Sequence, residues 1–247
     1  MNGKKLVYTV SDLRETSIGC INLLYESLLK KNKKSDFDFA VVTNADTSRF
    51  ELNPDFITIQ QQMHYSYVGW LKFTNKLPDN YDSYLYLDSD ILCFDYLEEL
   101  MSEADVTIVY EDLPMTNEWF WYNNASPEEK ALMLESKGIN AGTFGFREMN
   151  FMNRLYDTMN QYDFSLTPTL EQAKMEQRIL NYVMLTEIQT KKPQDITKKV
   201  LLHAKEEYGA HTIYHFCGFD GHMDKKFARM KIVMDKFVNA NEISIEK

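Results

Sequence analysis

Hydrophobic and polar positions from residue 6 to residue 110 alternate between short apolar runs and one long stretch of helical spacing. Continuous apolar runs predict buried strands at residues 6–10, 37–43, 56–59 and 106–110. Residues 18–31 carry apolar side chains three and four positions apart, which predicts an amphipathic helix between the first two strands. Strands that alternate with helices predict an α/β fold with a mostly parallel central sheet and helices on both faces.

The later part of the chain is less regular, but it contains further predicted elements. Ser126 and Pro127 are typical of a helix start, since serine caps the helix and proline suits its first turn. An aromatic cluster at residues 119–122 is interpreted as core, with a lid or a sugar-stacking platform as alternatives. The remaining predicted helices are residues 67–77, 151–159, 170–184 and 223–238, and the remaining predicted strands are residues 143–146 and 213–216. With no repeat and no linker-like tract, one domain over residues 1–247 is the simplest description.

One apolar run, at residues 84–87, ends in a pair of carboxylates. Asp88 and Asp90 are separated only by Ser89, so at the end of a strand they can project to the same side. Two carboxylates held together repel each other unless a proton or a cation lies between them. A turn with a solvated acidic tip is the plain alternative. The buried strand in front favours a metal site, because ligands of open α/β sheets bind beyond the carboxyl ends of strands.

Composition and charge exclude several classes of function. The net charge of −10 and the pI of about 5.0 argue against a nucleic-acid-binding protein, which needs a basic face. The three cysteines form no Cys-x-x-Cys pair, so we expect neither disulfides nor a zinc site, but buried free thiols. The apolar run at residues 6–10 is too short for a signal peptide or a membrane span. These features predict a cytoplasmic protein without a transmembrane segment.

A histidine later in the chain extends the acid pair. His215 ends a predicted strand, where a lone histidine is usually a structural residue of the core. Beside Asp88 and Asp90, however, it would complete a ligand set of two oxygens and one nitrogen. Such a set suits Mn²⁺ or Mg²⁺, and the imidazole favours Mn²⁺.

These motifs occur in an order that resembles the family-8 glycosyltransferases, the retaining GT-A enzymes that include glycogenin and bacterial galactosyltransferases. The resemblance extends from about residue 6 to residue 226. Its Asp-x-Asp is weak by itself, whereas the ordered set is specific. The segments are residues 8–12 (Tyr-Thr-Val-Ser-Asp), 70–73 (Trp-Leu-Lys-Phe), 87–90 (Leu-Asp-Ser-Asp), 139–146 (Ile-Asn-Ala-Gly-Thr-Phe-Gly-Phe), 176–181 (Glu-Gln-Arg-Ile-Leu-Asn) and 215–218 (His-Phe-Cys-Gly).

The resemblance implies a GT-A fold, with a nucleotide-binding half at about residues 1–110 and a sugar and acceptor half at about residues 111–247. It also implies a UDP-sugar donor, a carbohydrate or glycoconjugate acceptor, and Mn²⁺ (or Mg²⁺) held by Asp88, Asp90 and His215. Asp12 is equally well interpreted as a nucleotide contact or as a helix cap. The residues that the resemblance places around the donor are Thr9, Val10, Asp12, Lys72, Ser89, Asn140, Gly142, Gly218 and one of Lys225 and Lys226.

The expected catalytic residues are Gln177, Glu176 and Lys72. Gln177 would stabilise a developing oxocarbenium ion, and Lys72 would contact the donor phosphate or sugar. Glu176 stands where the family has aspartate, and the family's Pro-Trp after the tail lysine is absent here. Two alternatives are a non-catalytic nucleotide-sugar-binding module and an Asp-x-Asp phosphohydrolase, although the second class carries its motif on the first strand.

Overall fold

The computed structural model of the chain describes residues 3–62, 67–101, 104–162, 167–218 and 222–242. In chain order the strands are β1 (Lys5–Val10), β2 (Asp38–Thr43), β3 (Phe56–Gln60), β4 (Ser83–Leu87), β5 (Ile91–Cys93), β6 (Val106–Ile108), β7 (Tyr110–Pro114), β8 (Lys137–Ile139), β9 (Thr143–Phe146), β10 (Pro193–Asp195), β11 (Val200–Leu201) and β12 (Ile213–His215). The α-helices are α1 (Glu15–Leu29), α2 (Leu97–Leu100), α3 (Pro127–Leu134), α4 (Met149–Met159), α5 (Thr169–Ile188) and α6 (Met223–Glu242).

A seven-stranded, mostly parallel sheet forms the centre of the molecule. Its strand order is β10-β6-β9-β4-β1-β2-β3, and only β9 runs antiparallel to its two neighbours. A three-stranded sheet, β11-β12-β5, lies beyond the end of β4, and β7 pairs with β8 in a separate ribbon. The predicted α/β fold with a mostly parallel sheet is therefore confirmed.

The alternation of side chains along β1 divides the core between the two faces of the sheet. Leu6 and Tyr8 contribute to the larger cluster, which also contains buried residues of α4 and α5. Val7 points to the other face and packs in the cluster that contains α1. Helix α6 closes a third cluster against β5 and β12, and its residue Phe227 fills the space that the missing side chain of Gly19 leaves in α1. Helices thus cover both faces, as predicted.

Two predicted elements are wrong in detail. Residues 67–77 are not an α-helix, because only a short 3₁₀ helix forms at Val68–Lys72. Trp70, Leu71 and Phe73 are all buried there, so the segment packs on several sides instead of presenting one apolar stripe. Residues 106–110 are likewise not one strand, because the chain leaves the central sheet after Ile108.

The predicted start of α3 and the state of the cysteines are also decided by the structure. Ser126 accepts a hydrogen bond from the backbone of Glu129, whose side chain accepts one in return, so the predicted cap is confirmed. All three cysteines are free thiols. Cys20 and Cys93 are buried as expected, but Cys217 is only half-buried, so that part of the expectation is wrong.

Among the described helices, none combines the length and apolar character needed to cross a membrane.

Candidate active site

The acid pair lies in the turn between β4 and β5. The backbone N–H of Asp88 donates to the carbonyl of Gly142 at 2.8 Å, and the N–H of Ile91 donates back to the Asp88 carbonyl at 3.1 Å. Ile91 then pairs with His215 in the antiparallel β5-β12 ladder. This ladder is the reason why a histidine more than a hundred residues away in sequence stands beside the two aspartates.

Asp88, Asp90 and His215 form a compact cluster. One ligand atom from each residue lies within 4.8 Å of the others, and His215 Nε2 is 3.4 Å from a carboxylate oxygen of each aspartate. Asp90 and His215 are buried, while Asp88 is half-buried. The structure therefore brings together the three predicted ligands.

Cations lower the pKa of both aspartates in spite of their burial. Burial by itself would raise the pKa of Asp88, but Lys72 and His215 more than offset this effect and hold it well below its usual range. The pKa of Asp90 is lowered in the same way by His215 and Lys226, and Lys226 Nζ lies 2.6 Å from its carboxylate. Both acids are thus ionised at neutral pH, which is the state that binds a metal.

Two observations indicate that the cluster fits a divalent cation. Among the described residues neither buried ring nitrogen of His215 has a hydrogen bond of good geometry, and Nε2 only faces the two carboxylates at 3.4 Å, an arrangement that is costly unless a ligand is bound. Gly142 faces the cluster, and a Cβ there would overlap the His215 ring and lie 2.7 Å from Asp88 Oδ2. The donor set of carboxylates and imidazole has the chemistry of an Mn²⁺ or Mg²⁺ site.

Lys72 connects the acid pair to helix α5. Its buried ammonium lies 3.3 Å from Asp88, 3.0 Å from Glu176 and 3.0 Å from the carbonyl of Ala141. Tyr67 donates to the other oxygen of Glu176 at 3.4 Å. Lys72 and Glu176 are therefore brought to the site, but as partners of each other in a buried ion pair.

A cleft of about 330 Å³ opens beside the metal cluster. Gln177 lines it, and so does Asn140, whose side chain donates to Glu111 at 2.6 Å and accepts from the Gly142 N–H at 2.9 Å. The predicted site residues in its lining are Lys72, Asp88, Asn140, Gly142, Glu176, Gln177, His215 and Gly218. A larger cavity of about 600 Å³ surrounds Lys5 at the opposite end of β1 and contains none of them.

Other predicted donor contacts lie outside the lining of this cleft. Thr9 and Val10 are buried within β1, and Ser89 is half-buried in the acid turn. Asp12 accepts hydrogen bonds from the Arg14 N–H at 3.2 Å and the Ser17 hydroxyl at 2.9 Å, so it stabilises the start of α1. The nucleotide contacts stay predictions.

The structure distinguishes Lys225 from Lys226, between which the sequence does not decide. Lys226 reaches Asp90 from the first turn of α6, whereas Lys225 is exposed on the same turn. Because α6 packs against α1 and β5, the lysine that reaches the acid pair is set by this packing. Lys226 is the better-placed of the two for a ligand bound at the metal.

Sequence reasoning missed several residues of the site, among them Tyr67. Tyr86 donates a short hydrogen bond to Asp88, and it stands two positions earlier on the same strand, so the period of two in β4 could have indicated it. Glu111 lines the cleft from the region without a readable motif, and His203 and Cys217 line it as well. In the aromatic cluster Phe120 and Tyr122 are core as expected, whereas Trp119 lines the cleft, where the sugar-stacking alternative would place it.

Comparison with solved structures identifies the fold. The chain aligns over 94% of its length, and over 95% of the other chain, with galactosyltransferase LgtC in complex with donor and acceptor sugar analogues, at a TM-score of 0.54 and 15% identity. The chain has the GT-A glycosyltransferase fold. Glycosyltransferase GlyE of Streptococcus pneumoniae TIGR4 is also similar, with a TM-score of 0.52 and 13% identity over 96% of this chain and 64% of that one.

A third solved structure is also similar to the chain. It is an active-site mutant of LgtC in which a glutamine is replaced by glutamate, and it is similar at a TM-score of 0.51 and 12% identity. No protein-family model and no curated protein sequence matches the chain. At these identities the likeness shows the fold, and the activity has to be argued from the site.

Proposed function

We propose that this GT-A protein is a metal-dependent retaining glycosyltransferase of the family-8 type, which moves a hexose or related sugar from a UDP-sugar to a carbohydrate or glycoconjugate. The observation that carries the proposal is the convergence of Asp88, Asp90 and His215 at the mouth of a cleft, beyond the end of β4. Ligands of open α/β sheets bind at this place. The order of the sequence motifs and the fold both support the same class of reaction.

The chemistry of the leaving group explains the need for such a site. Breaking the bond between the sugar and UDP leaves additional negative charge on the diphosphate, and bound Mn²⁺ or Mg²⁺ would stabilise that charge. Asp88, Asp90 and His215 would hold the ion. Lys226 next to Asp90 adds positive charge on the same side, which favours the departing diphosphate.

The carboxylates of the cleft favour front-face attack over double displacement. Double displacement requires a protein carboxylate that is free to attack the sugar. Glu176 does not meet this requirement, because it is paired with Lys72. Glu111 accepts from Asn140, so it too is engaged. Among the described lining residues this leaves Gln177 to face the sugar as a neutral dipole, and an oxygen of the leaving phosphate to accept the proton of the acceptor hydroxyl.

A panel of UDP-, GDP- and TDP-sugars with and without Mn²⁺ tests the proposal. We expect slow release of UDP from one UDP-sugar by hydrolysis, since water replaces the missing acceptor, and a faster release when an acceptor is added. We expect Asp90→Ala to abolish this release while circular dichroism shows a preserved fold. Tight binding of a UDP-sugar without any release of UDP would instead indicate a non-catalytic binding module.

A further inference from the structure

His203 occupies a strained position on the wall of the candidate active site. Its φ angle is 55°, a left-handed conformation that is uncommon outside glycine and strains the backbone. It follows β11 and is exposed, and it lines the cleft together with Asp88 and His215. The next residue, Ala204, donates its N–H to the carbonyl of His215 at 2.9 Å. The strained turn is therefore fixed directly to the strand that carries the metal ligand.

One edge of the His203 ring is held by the chain that follows the metal ligand. Nδ1 lies 3.5 Å from the sulfur of Cys217 and 3.4 Å from its carbonyl oxygen. Gly218 is adjacent with a φ angle of 87°, and a Cβ there would be 3.3 Å from the same nitrogen. Nε2 has no hydrogen-bond partner among the described residues. The packing thus leaves the Nε2 edge of the ring as the edge that can meet a ligand.

The lysine and the other histidine in the described lining of the cleft are already engaged. Lys72 is bound to Asp88 and Glu176, and His215 faces both aspartates. His203 lines the same cleft as His215. The group that suits an uncommitted N–H donor at this place is an anionic oxygen.

We propose that His203 donates a hydrogen bond from Nε2 to the diphosphate of the nucleotide-sugar donor, and that Cys217 fixes the tautomer required for it. This inference rests on the proposed function. A neutral imidazole that donated from Nδ1 to the Cys217 carbonyl could not also donate from Nε2. When the Cys217 thiol donates to Nδ1 instead, the ring hydrogen is on Nε2, and both nitrogens are satisfied once a phosphate oxygen accepts from Nε2. Cys217 is then a positioning residue and His203 a donor-binding residue.

Calorimetric titration of the Mn²⁺-loaded protein with UDP and with uridine tests the inference. His203→Asn is the decisive variant, because asparagine tolerates the left-handed backbone and lacks the imidazole. We expect it to weaken UDP binding about tenfold, the effect of one hydrogen bond to a charged group, and to leave uridine binding unchanged. His203→Gly gives the same comparison should asparagine unfold the chain. His211→Asn, on the loop before β12 and outside the cleft lining, is the matched control.

Cys217 is tested by its conservative and its non-conservative replacement. Cys217→Ser keeps a donor for Nδ1, so it should retain most of the UDP affinity, whereas Cys217→Ala should lose part of it. Unchanged UDP affinity in His203→Asn, or an equal loss for uridine, would overturn the assignment of His203 and leave the proposed function standing. A wild-type protein that binds no UDP at all would overturn the proposed function, and this inference with it.

Discussion

At the scale of single residues, the most unusual group of the site is the buried carboxyl of Glu176. Burial raises its pKa to about 7, since the lowering effect of Lys72 does not fully offset desolvation and the nearby charge of Asp88. The side chain is therefore protonated in part of the folded molecules at neutral pH, which the sequence could not have indicated. A family resemblance places the residue, but only the packing of α5 against Lys72 determines its charge.

This raised pKa predicts a pH-dependent stability. Because the pKa of Glu176 is higher in the folded chain than its ordinary value of 4.5, its contribution is complete below pH 4.5 and is lost as the pH rises through 7. Glu176→Gln has no titratable group at this position, so its stability lacks this pH-dependent contribution. Between pH 5 and pH 8 we expect the wild type to lose about 2 kcal/mol of unfolding free energy relative to the variant. Urea unfolding in EDTA measures this, and a constant difference between the two proteins would contradict it.

Gly142 carries a second residue-scale prediction. A methyl group there would overlap the ring of His215 and press on Asp88. Gly142→Ala should therefore abolish metal-dependent turnover and lower the free energy of unfolding by about 1 to 3 kcal/mol. Gly209→Ala is the matched control, since a Cβ at that position meets no atom within 4 Å. Equal activity of the two variants would show that turnover does not depend on the cluster of Asp88, Asp90 and His215 beside Gly142.

At the scale of elements, the sequence predicts most of the strands and helices because their apolar periodicity is long and regular. It fails for residues 67–77, where burial on several sides imitates helical spacing, and the 3₁₀ turn at Val68–Lys72 results from packing against the sheet. The position of β9 between β4 and β6 is equally invisible, since a local pattern does not specify strand neighbours. Asp88 and Asp90 could be predicted because both depend only on the end of one strand.

Asn181 shows how one buried side chain joins two elements of the site. Its amide accepts from the N–H of Ile139 at 2.7 Å and donates to the carbonyl of the same residue at 2.8 Å, so it joins α5 to β8. Asn181→Leu would leave both backbone groups unsatisfied, and we expect a loss of about 3 kcal/mol in urea unfolding. Asn153→Leu on the exposed side of α4 should change the stability by less than about 0.5 kcal/mol. Comparable losses of stability in the two variants would contradict the role of Asn181 in joining α5 to β8.

At the scale of the whole molecule, the site is assembled from segments that lie far apart in sequence. Lys72, Asp88, Glu176, His215 and Lys226 meet only when the central sheet, α5 and α6 have all packed. The motif order could name most of them in advance. It could not name His203, because a left-handed turn and a contact with Cys217 leave no sequence pattern. The local charge of the site is likewise not evident from the composition. The chain has a net charge of −10, yet three cationic side chains surround its acid pair.

This arrangement predicts how the whole protein responds to metal. Burial works to lower the pKa of His215, but the neighbouring Cys217, Asp90 and Asp88 more than offset it and hold that pKa well above the usual value, so the ring is protonated near neutral pH. A metal requires the neutral imidazole, so Mn²⁺ must displace this proton, and its apparent affinity should rise with pH. A ligand at about 100 times its Kd stabilises the fold by about 2.7 kcal/mol, which raises Tm by about 5 to 10 °C.

Thermal unfolding at a fixed Mn²⁺ concentration measures this response, with EDTA as the metal-free reference. The increase in Tm should be larger at pH 8 than at pH 6, because fewer of the folded molecules still hold the competing proton on His215. Asp90→Ala should show no increase at either pH. An increase that is the same at both pH values would mean that the ion binds without displacing the His215 proton, and therefore that His215 is not among its ligands.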